Sequence, residues 1–114
     1  MSRKEAGKGM AKPELDIARN VRTIEWLKAE LVGGVSGLFK ALIKNSDEAI
    51  LDALANVVVA CYLLGRRLGI TFSRLDMQVE SKVAVNITKS HEIEQWYGDF
   101  TAFRRYLEER TGSG

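Results

Sequence analysis

Cysteine, proline and histidine each occur once in the sequence, and these scarcities exclude several kinds of protein. A single thiol, Cys61, cannot form an internal disulfide, which excludes a domain held together by disulfides. Because Cys61 has apolar neighbours, we expect it to be an inert thiol in the protein core. The lone histidine, His91, has no second histidine or cysteine pattern around it, and we assign it no catalytic role.

The sequence also lacks a strong charge of one sign and a long apolar run. Its 17 basic and 15 acidic residues give a formal charge of +2 and are interspersed, which argues against a nucleic-acid partner and against a small DNA-binding bundle. The longest near-apolar run, Ala53 to Gly65, is interrupted by Asn56 and is shorter than a bilayer-spanning segment. The basic start has no apolar signal core. We therefore expect a cytoplasmic protein without a membrane partner.

The length of 114 residues and the 46% of hydrophobic residues suit one domain with a modest core. The Gly- and Lys-rich segment 1–12 predicts a disordered basic tail, 13–110 a single helical domain, and 111–114 a frayed end.

Apolar residues recur at steps of three and four between Ile17 and Leu42, which is the spacing of a helical core seam. Thr23 has the chemistry of an internal N-cap, and adjacent glycines weaken the middle of the segment. Whether residues 14–44 form one helix or two therefore stays open.

The second long helix has clear start and stop signals. Asn45 or Ser46 is placed to cap it, and two arginines followed by Gly69 mark its end. These signals predict a helix from about Asp47 to Leu68.

The remaining sequence also has helical periodicity. Ser73 is placed to cap a third helix, and a polar break then leads to a short helical tail around Gly98. We predict an all-α protein of about four helices.

One side of the first long helix carries only very small side chains. Gly33, Gly37 and Ala41 lie four residues apart, so another helix can approach closely there. For so short a chain, this flank and the apolar seam predict a helical hairpin completed by a second copy, as a homo-oligomer that is a dimer or a tetramer.

Acidic and amide side chains are spaced to form one stripe between the two long helices. Glu30 lies on the first helix, and Glu48, Asp52 and Asn56 lie at four-residue steps on the second. Magnesium prefers hard oxygen ligands, and facing helices can supply them. The same spacing also occurs in solvated helix faces and in first turns that interact with the helix dipole.

Two blocks of the sequence resemble the MazG family of all-α nucleoside triphosphate pyrophosphohydrolases, particularly its short MazG-like branch. "ELVGGVSGLFKAL" is similar to the family's E-E-V-G-E-L-x-E-A-L. "DALANVVVACYLLGRRLGI" is similar to E-E-L-A-D-V-L followed by an apolar stretch and R-L-G-I. The resemblance covers roughly residues 15 to 100.

The resemblance implies that helices bind a nucleotide through Mg²⁺ and hydrolyse it to a nucleoside monophosphate and pyrophosphate. Family members hold the metal with four acids in an E-x-x-E plus E-x-x-D pattern. Here Glu30 matches the first acid, the second falls on Gly33 or Gly34, and the last is Asn56. Asp52 lies next to the third position, so the acidic motif is incomplete.

The resemblance further implies that Lys82 and Asn86 contact the substrate. Trp26 is a candidate for stacking on the nucleobase, and in an active enzyme Glu48 or Glu25 is the candidate general base. For each of these, a structural or surface role is the alternative. Glu30, Asp52 and Asn56 are the expected metal ligands. Two hypotheses stay open: a pyrophosphohydrolase, and a non-catalytic interaction or nucleotide-sensing module on the same fold.

Overall fold

The computed structural model describes residues 12–112, which form five helices and no strand. The helices are α1 (Lys12–Lys44), α2 (Asp47–Arg67), α3 (Phe72–Thr88), α4 (Glu92–Tyr97) and α5 (Asp99–Gly112). The predicted all-α class is confirmed. There are five helices rather than four because Gly98, with φ of 67°, separates α4 from α5.

The predicted tail at 1–12 lies outside the described residues except for Lys12, which begins α1. Of the end predicted to fray, α5 includes Thr111 and Gly112, and the last two residues are not described. The chain divides into two compact units, one up to Ile70 and one from Thr71 onward.

The first long helix, α1, is continuous over 33 residues, so residues 14–44 form one helix. The Thr23 hydroxyl donates a hydrogen bond to the Arg19 carbonyl at 2.8 Å, which is a contact within a helix and not an N-cap.

The start of α2 follows the predicted capping chemistry. Ser46 is the N-cap, and its side-chain oxygen accepts a hydrogen bond from the Ala49 backbone N–H at 3.3 Å. Asn45, with φ of 54°, completes the short connection from α1. Of the two capping candidates, the structure therefore selects Ser46.

The end of α2 also agrees with the sequence. Gly69 has φ of 91°, and the Ile70 N–H donates to the Gly65 carbonyl at 2.8 Å. This pattern of a left-handed residue and a bond back into the last turn is a Schellman motif.

The helices α1 and α2 pack as an antiparallel hairpin. Asn20 near the start of α1 exchanges hydrogen bonds with Arg67 at the end of α2, at 3.3 and 3.4 Å. Halfway along, Gly34 lies against Val57 so closely that an added Cβ would be 3.1 Å from a Val57 methyl carbon. The buried side chains in this hairpin are small apart from one leucine: Leu27, Ala41, Ala53 and Ala60.

Many larger apolar side chains of the hairpin are exposed. We use the name back face for Val35, Phe39 and Leu42 on α1 and Leu54 and Val58 on α2, which are 40–62% exposed. In each helix these residues are turned away from the small residues at the helix–helix contact.

Cys61 is exposed, so the prediction of a core thiol is wrong. At about 100° per residue, Cys61 is turned away from its buried neighbour Ala60 and continues the row of Leu54 and Val58. An apolar neighbourhood in the sequence therefore does not place this thiol in the core of the chain.

By length and composition alone, α2 is long and apolar enough to cross a membrane. No other helix within residues 12–112 meets both criteria. The whole helix has 21 residues. It therefore extends beyond the run Ala53 to Gly65, whose short length had argued against a segment that spans a bilayer. The same test is passed by core helices of soluble proteins, although little of α2 is buried within this chain.

The second unit contains α3, α4 and α5. Thr71, and not Ser73, caps α3 by accepting a hydrogen bond from the Arg74 N–H at 3.1 Å. The helix α3 packs against α5, and each contributes one buried side chain, Val83 and Leu107.

Glu94 of α4 caps the first turn of α5. Its carboxylate accepts hydrogen bonds from the Thr101 backbone N–H at 3.1 Å and from the Thr101 hydroxyl. These bonds hold the pKa of Glu94 below its ordinary value because they stabilise the charged form.

Candidate functional site

A groove of about 560 Å³ runs along one side of the α1–α2 hairpin. Glycine and alanine residues of both helices form its floor, and five polar side chains line it: Glu30, Lys40, Lys44, Asp52 and Asn56. We refer to it as the groove. The groove and the back face lie on opposite sides of the hairpin, since their residues are about half a turn apart on each helix.

The floor of the groove is open because of Gly33 and Gly37. A Cβ added to either residue would have no neighbouring atom within 4 Å. Within residues 12–112, therefore, no helix packs against this flank at either glycine, and the approach of a helix from a second copy stays a prediction. Of the three predicted flank residues, Ala41 is buried. The close contact with α2 is made by Gly34, which lies next to Val57.

The three predicted metal ligands all line this groove. Since Gly34 lies level with Val57, Asn56 is level with residue 35 of α1 and Asp52 with residue 39. At 1.5 Å per residue, Glu30 and Asp52 are roughly 13 Å apart along the hairpin, with Asn56 between them. The arrangement is a row of oxygen donors rather than a tight cluster.

Because Glu30 and Asp52 are roughly 13 Å apart along the hairpin, the row as it stands does not form one complete coordination shell for a magnesium ion. One or two carboxylates with waters and substrate phosphates are the usual protein ligands of Mg²⁺, and the groove supplies two carboxylates and an amide oxygen. Two-metal sites need more acids. Within residues 12–112 no group of three or more His, Cys, Asp or Glu residues is placed to hold a metal ion.

Lys40 and Lys44 also line the groove, and the sequence-based analysis missed them. They occupy positions i and i+4 on the same face of α1 as Gly33 and Gly37. Their position on the same helix face as the glycines was the signal in the sequence that could have identified them as groove residues. The small residues had instead suggested a face that packs against another helix, and long charged side chains would not fit in such a contact.

The other predicted site residues of the first unit are not among those that line the groove. Glu48 lies in the first turn of α2, where its charge favours the helix dipole. Trp26 is 57% exposed and lies one turn before Glu30 on α1. Glu25 forms an ion pair with Lys28 at 2.6 Å.

Lys82 and Asn86 lie on α3, in the second unit. The Asn86 amide donates a hydrogen bond to the Lys82 carbonyl at 2.9 Å, so one of its two side-chain N–H groups is engaged within the helix.

Comparison with protein families matches the chain, over residues 17–100, to the model described as the MazG-like family. Comparisons with curated proteins and with solved structures gave no match. The family model spans the hairpin with its groove and continues through α3 and α4. The chain therefore belongs to the MazG-like family.

Proposed function

We propose that the groove binds a nucleoside triphosphate together with Mg²⁺ and hydrolyses it to a nucleoside monophosphate and pyrophosphate. The observation that supports this proposal is that Glu30, Asp52 and Asn56 line one groove. Membership of the MazG-like family, which suggests the nucleotide pyrophosphohydrolase superfamily, gives the reaction class.

The residues of the groove have distinct roles in this proposal. Asp52 and Glu30 supply negative oxygen ligands, and Asn56, between them, supplies a neutral one. Bound with the substrate phosphates, Mg²⁺ supplies charge neutralisation and a more acidic water. Glu48 remains the proposed base, and Trp26, Lys82 and Asn86 remain the proposed substrate contacts.

A second candidate function is nucleotide binding without turnover, as a sensing or interaction module. The incomplete donor set favours it, because an amide at position 56 and glycines at 33 and 34 leave two carboxylates in the groove. Fewer negative ligands weaken metal binding, and weak metal binding slows hydrolysis before it abolishes binding of the nucleotide.

Calorimetric titration of a non-hydrolysable nucleoside triphosphate with and without Mg²⁺ tests the proposal. Asp52→Asn removes one carboxylate from the groove at nearly constant size. Asp16→Asn is the matched control, because Asp16 is exposed on α1 outside the groove. We expect Mg²⁺-dependent binding that Asp52→Asn weakens about tenfold or more and Asp16→Asn leaves unchanged.

Release of pyrophosphate from a panel of nucleoside triphosphates then separates the two candidates. Release that requires Mg²⁺ and Asp52 supports the enzyme. Mg²⁺-dependent binding without release supports the non-catalytic module, and no binding at millimolar nucleotide contradicts both.

We also propose that a second copy of the chain covers the back face, in a dimer or as part of a tetramer. The hairpin buries only small side chains and Leu27 while exposing Phe39, Leu54 and Val58. A two-fold axis on this face would bury those side chains and leave the groove on the other side accessible.

Molar mass in solution tests this self-association. We expect Phe39→Glu to lower the mass toward one chain, and Met77→Glu, which changes an exposed side chain of the second unit, to leave it unchanged. A monomeric wild-type protein would contradict the proposal. If the protein is monomeric, co-sedimentation with lipid vesicles would indicate that a membrane covers the back face, which the composition of α2 permits.

A further inference from the structure

One end of the groove carries positive charge. Lys40 and Lys44 lie one turn apart on α1, roughly 6 Å along the helix axis, and both are exposed. Neither side chain has a hydrogen-bond or ion-pair partner in the part of the chain that the structure describes. Their ammonium groups are thus available to a ligand.

The charges in the groove sum to zero, but they are not mixed evenly. Glu30 and Asn56 lie toward one end, Asp52 and Lys40 are nearly level in the middle, and Lys44 lies at the other end. From Glu30 to Lys44 the row is roughly 21 Å long. A neutral groove with a cationic end does not repel a multiply charged anion, as a groove lined only with acids would.

The glycine floor makes this row accessible along its length. Between Glu30 and Lys40 the chain presents Gly33 and Gly37, at which even a methyl group would meet no neighbour within 4 Å. An extended ligand can therefore lie along the helix and reach the lysine end without displacing a side chain.

We propose that Lys40 and Lys44 bind phosphate oxygens directly, so that the groove retains a polyphosphate ligand without a divalent cation. This inference rests on the proposed function in taking the groove to be the ligand site. Lysine binds phosphate as a compact point charge, and two lysines one turn apart contact neighbouring phosphates of one chain. The two ammonium groups would then neutralise part of the negative charge of the phosphates. An incomplete set of carboxylates, which binds Mg²⁺ weakly, cannot supply all of this neutralisation.

The test is calorimetric titration of inorganic tripolyphosphate into the full-length protein in the presence of EDTA. Lys40→Gln/Lys44→Gln removes both charges from the groove. The matched control, Lys12→Gln/Lys89→Gln, removes two charges from exposed positions that do not line the groove. Circular dichroism of all variants verifies that they are folded.

We expect tripolyphosphate to bind in EDTA, with about a tenfold weakening for each groove lysine removed and less than about a twofold change in the control. Equal weakening in both double variants would overturn the inference, because it would indicate general attraction by the surface. Binding that neither double variant weakens would also overturn it.

A parallel titration with Mg²⁺ and the non-hydrolysable nucleoside triphosphate keeps the two proposals distinguishable. No tripolyphosphate binding in EDTA, together with Mg²⁺-dependent nucleotide binding that Asp52→Asn weakens, overturns the lysine inference and leaves the proposed function intact. Binding in EDTA that depends on the lysines, with no effect of Mg²⁺ or Asp52, supports the inference and contradicts the metal-dependent function.

Discussion

Alanine substitution at Gly34 should affect stability differently from alanine substitution at Gly33 or Gly37, the other two central glycines of α1. Gly33 and Gly37 face the open groove, whereas Gly34 faces α2, where an added Cβ would be 3.1 Å from a Val57 methyl carbon. All three lie in a continuous helix, so replacing glycine by alanine gains about 1 kcal/mol of helix propensity at each position. Only Gly34→Ala crowds a neighbour.

The magnitudes follow from these contacts. Gly33→Ala and Gly37→Ala should each raise the free energy of unfolding by about 1 kcal/mol, because the new methyl groups meet nothing. At Gly34, overpacking costs about 1–3 kcal/mol and cancels or exceeds the gain. Gly34→Ala should therefore be less stable than Gly33→Ala by at least about 1 kcal/mol.

Urea denaturation followed by circular dichroism at one fixed protein concentration measures the difference, since self-association makes stability depend on concentration. Equal effects of Gly33→Ala and Gly34→Ala would refute the helix–helix contact described for Val57. Destabilisation by Gly33→Ala or Gly37→Ala would refute the open floor, because a methyl group costs stability only where something is packed against it.

Three further predictions concern single positions. Asn56→Asp adds a third carboxylate to the groove and should tighten Mg²⁺ binding about tenfold or more in a calorimetric titration; unchanged affinity would count against a metal site there. Gly69→Ala places a side chain at φ of 91° and should cost about 1–2 kcal/mol in urea denaturation, and an unchanged midpoint would contradict the Schellman motif. The lowered pKa of Glu94 means that its contribution to stability is complete above the ordinary glutamate pKa and is lost as the pH falls through the lower folded value. In a titration of helicity from pH 6 to pH 3, Thr101→Val should therefore weaken the loss in acid, and an unaltered curve would show that the Glu94 cap carries no stability.

Local signals in the sequence predicted the ends of α2 correctly. Ser46 and Gly69 act through their own backbone neighbourhood, so a short stretch of sequence contains the whole cause. Thr71 was missed as the cap of α3 because Ser73 has the same chemistry two residues later, and side-chain type alone cannot choose between adjacent candidates. At residues 14–44, favourable propensity on both sides outweighed two adjacent glycines and kept α1 continuous.

The faces of the helices were harder to predict than their ends. Periodicity identifies which residues share a side of a helix, but it does not say whether this chain, a second copy or solvent covers that side. Cys61 illustrates the difficulty, because it lies on an apolar row that the chain itself leaves exposed. The predicted row of Glu30, Asp52 and Asn56 was found in one groove because each residue lies on a long, regular helix.

The glycine floor of the groove has a consequence for engineering and divergence. Gly33 and Gly37 leave the groove open because they have no side chains, and neither glycine is in contact with α2. The contacts that hold the hairpin together are made by other residues. Replacing either glycine with alanine, valine or leucine would shorten or narrow the groove in steps of a few carbon atoms. Under the proposed function, the residues at these two positions would limit the size of the ligand, and substitutions there would change that limit without changing the contacts that hold α1 against α2.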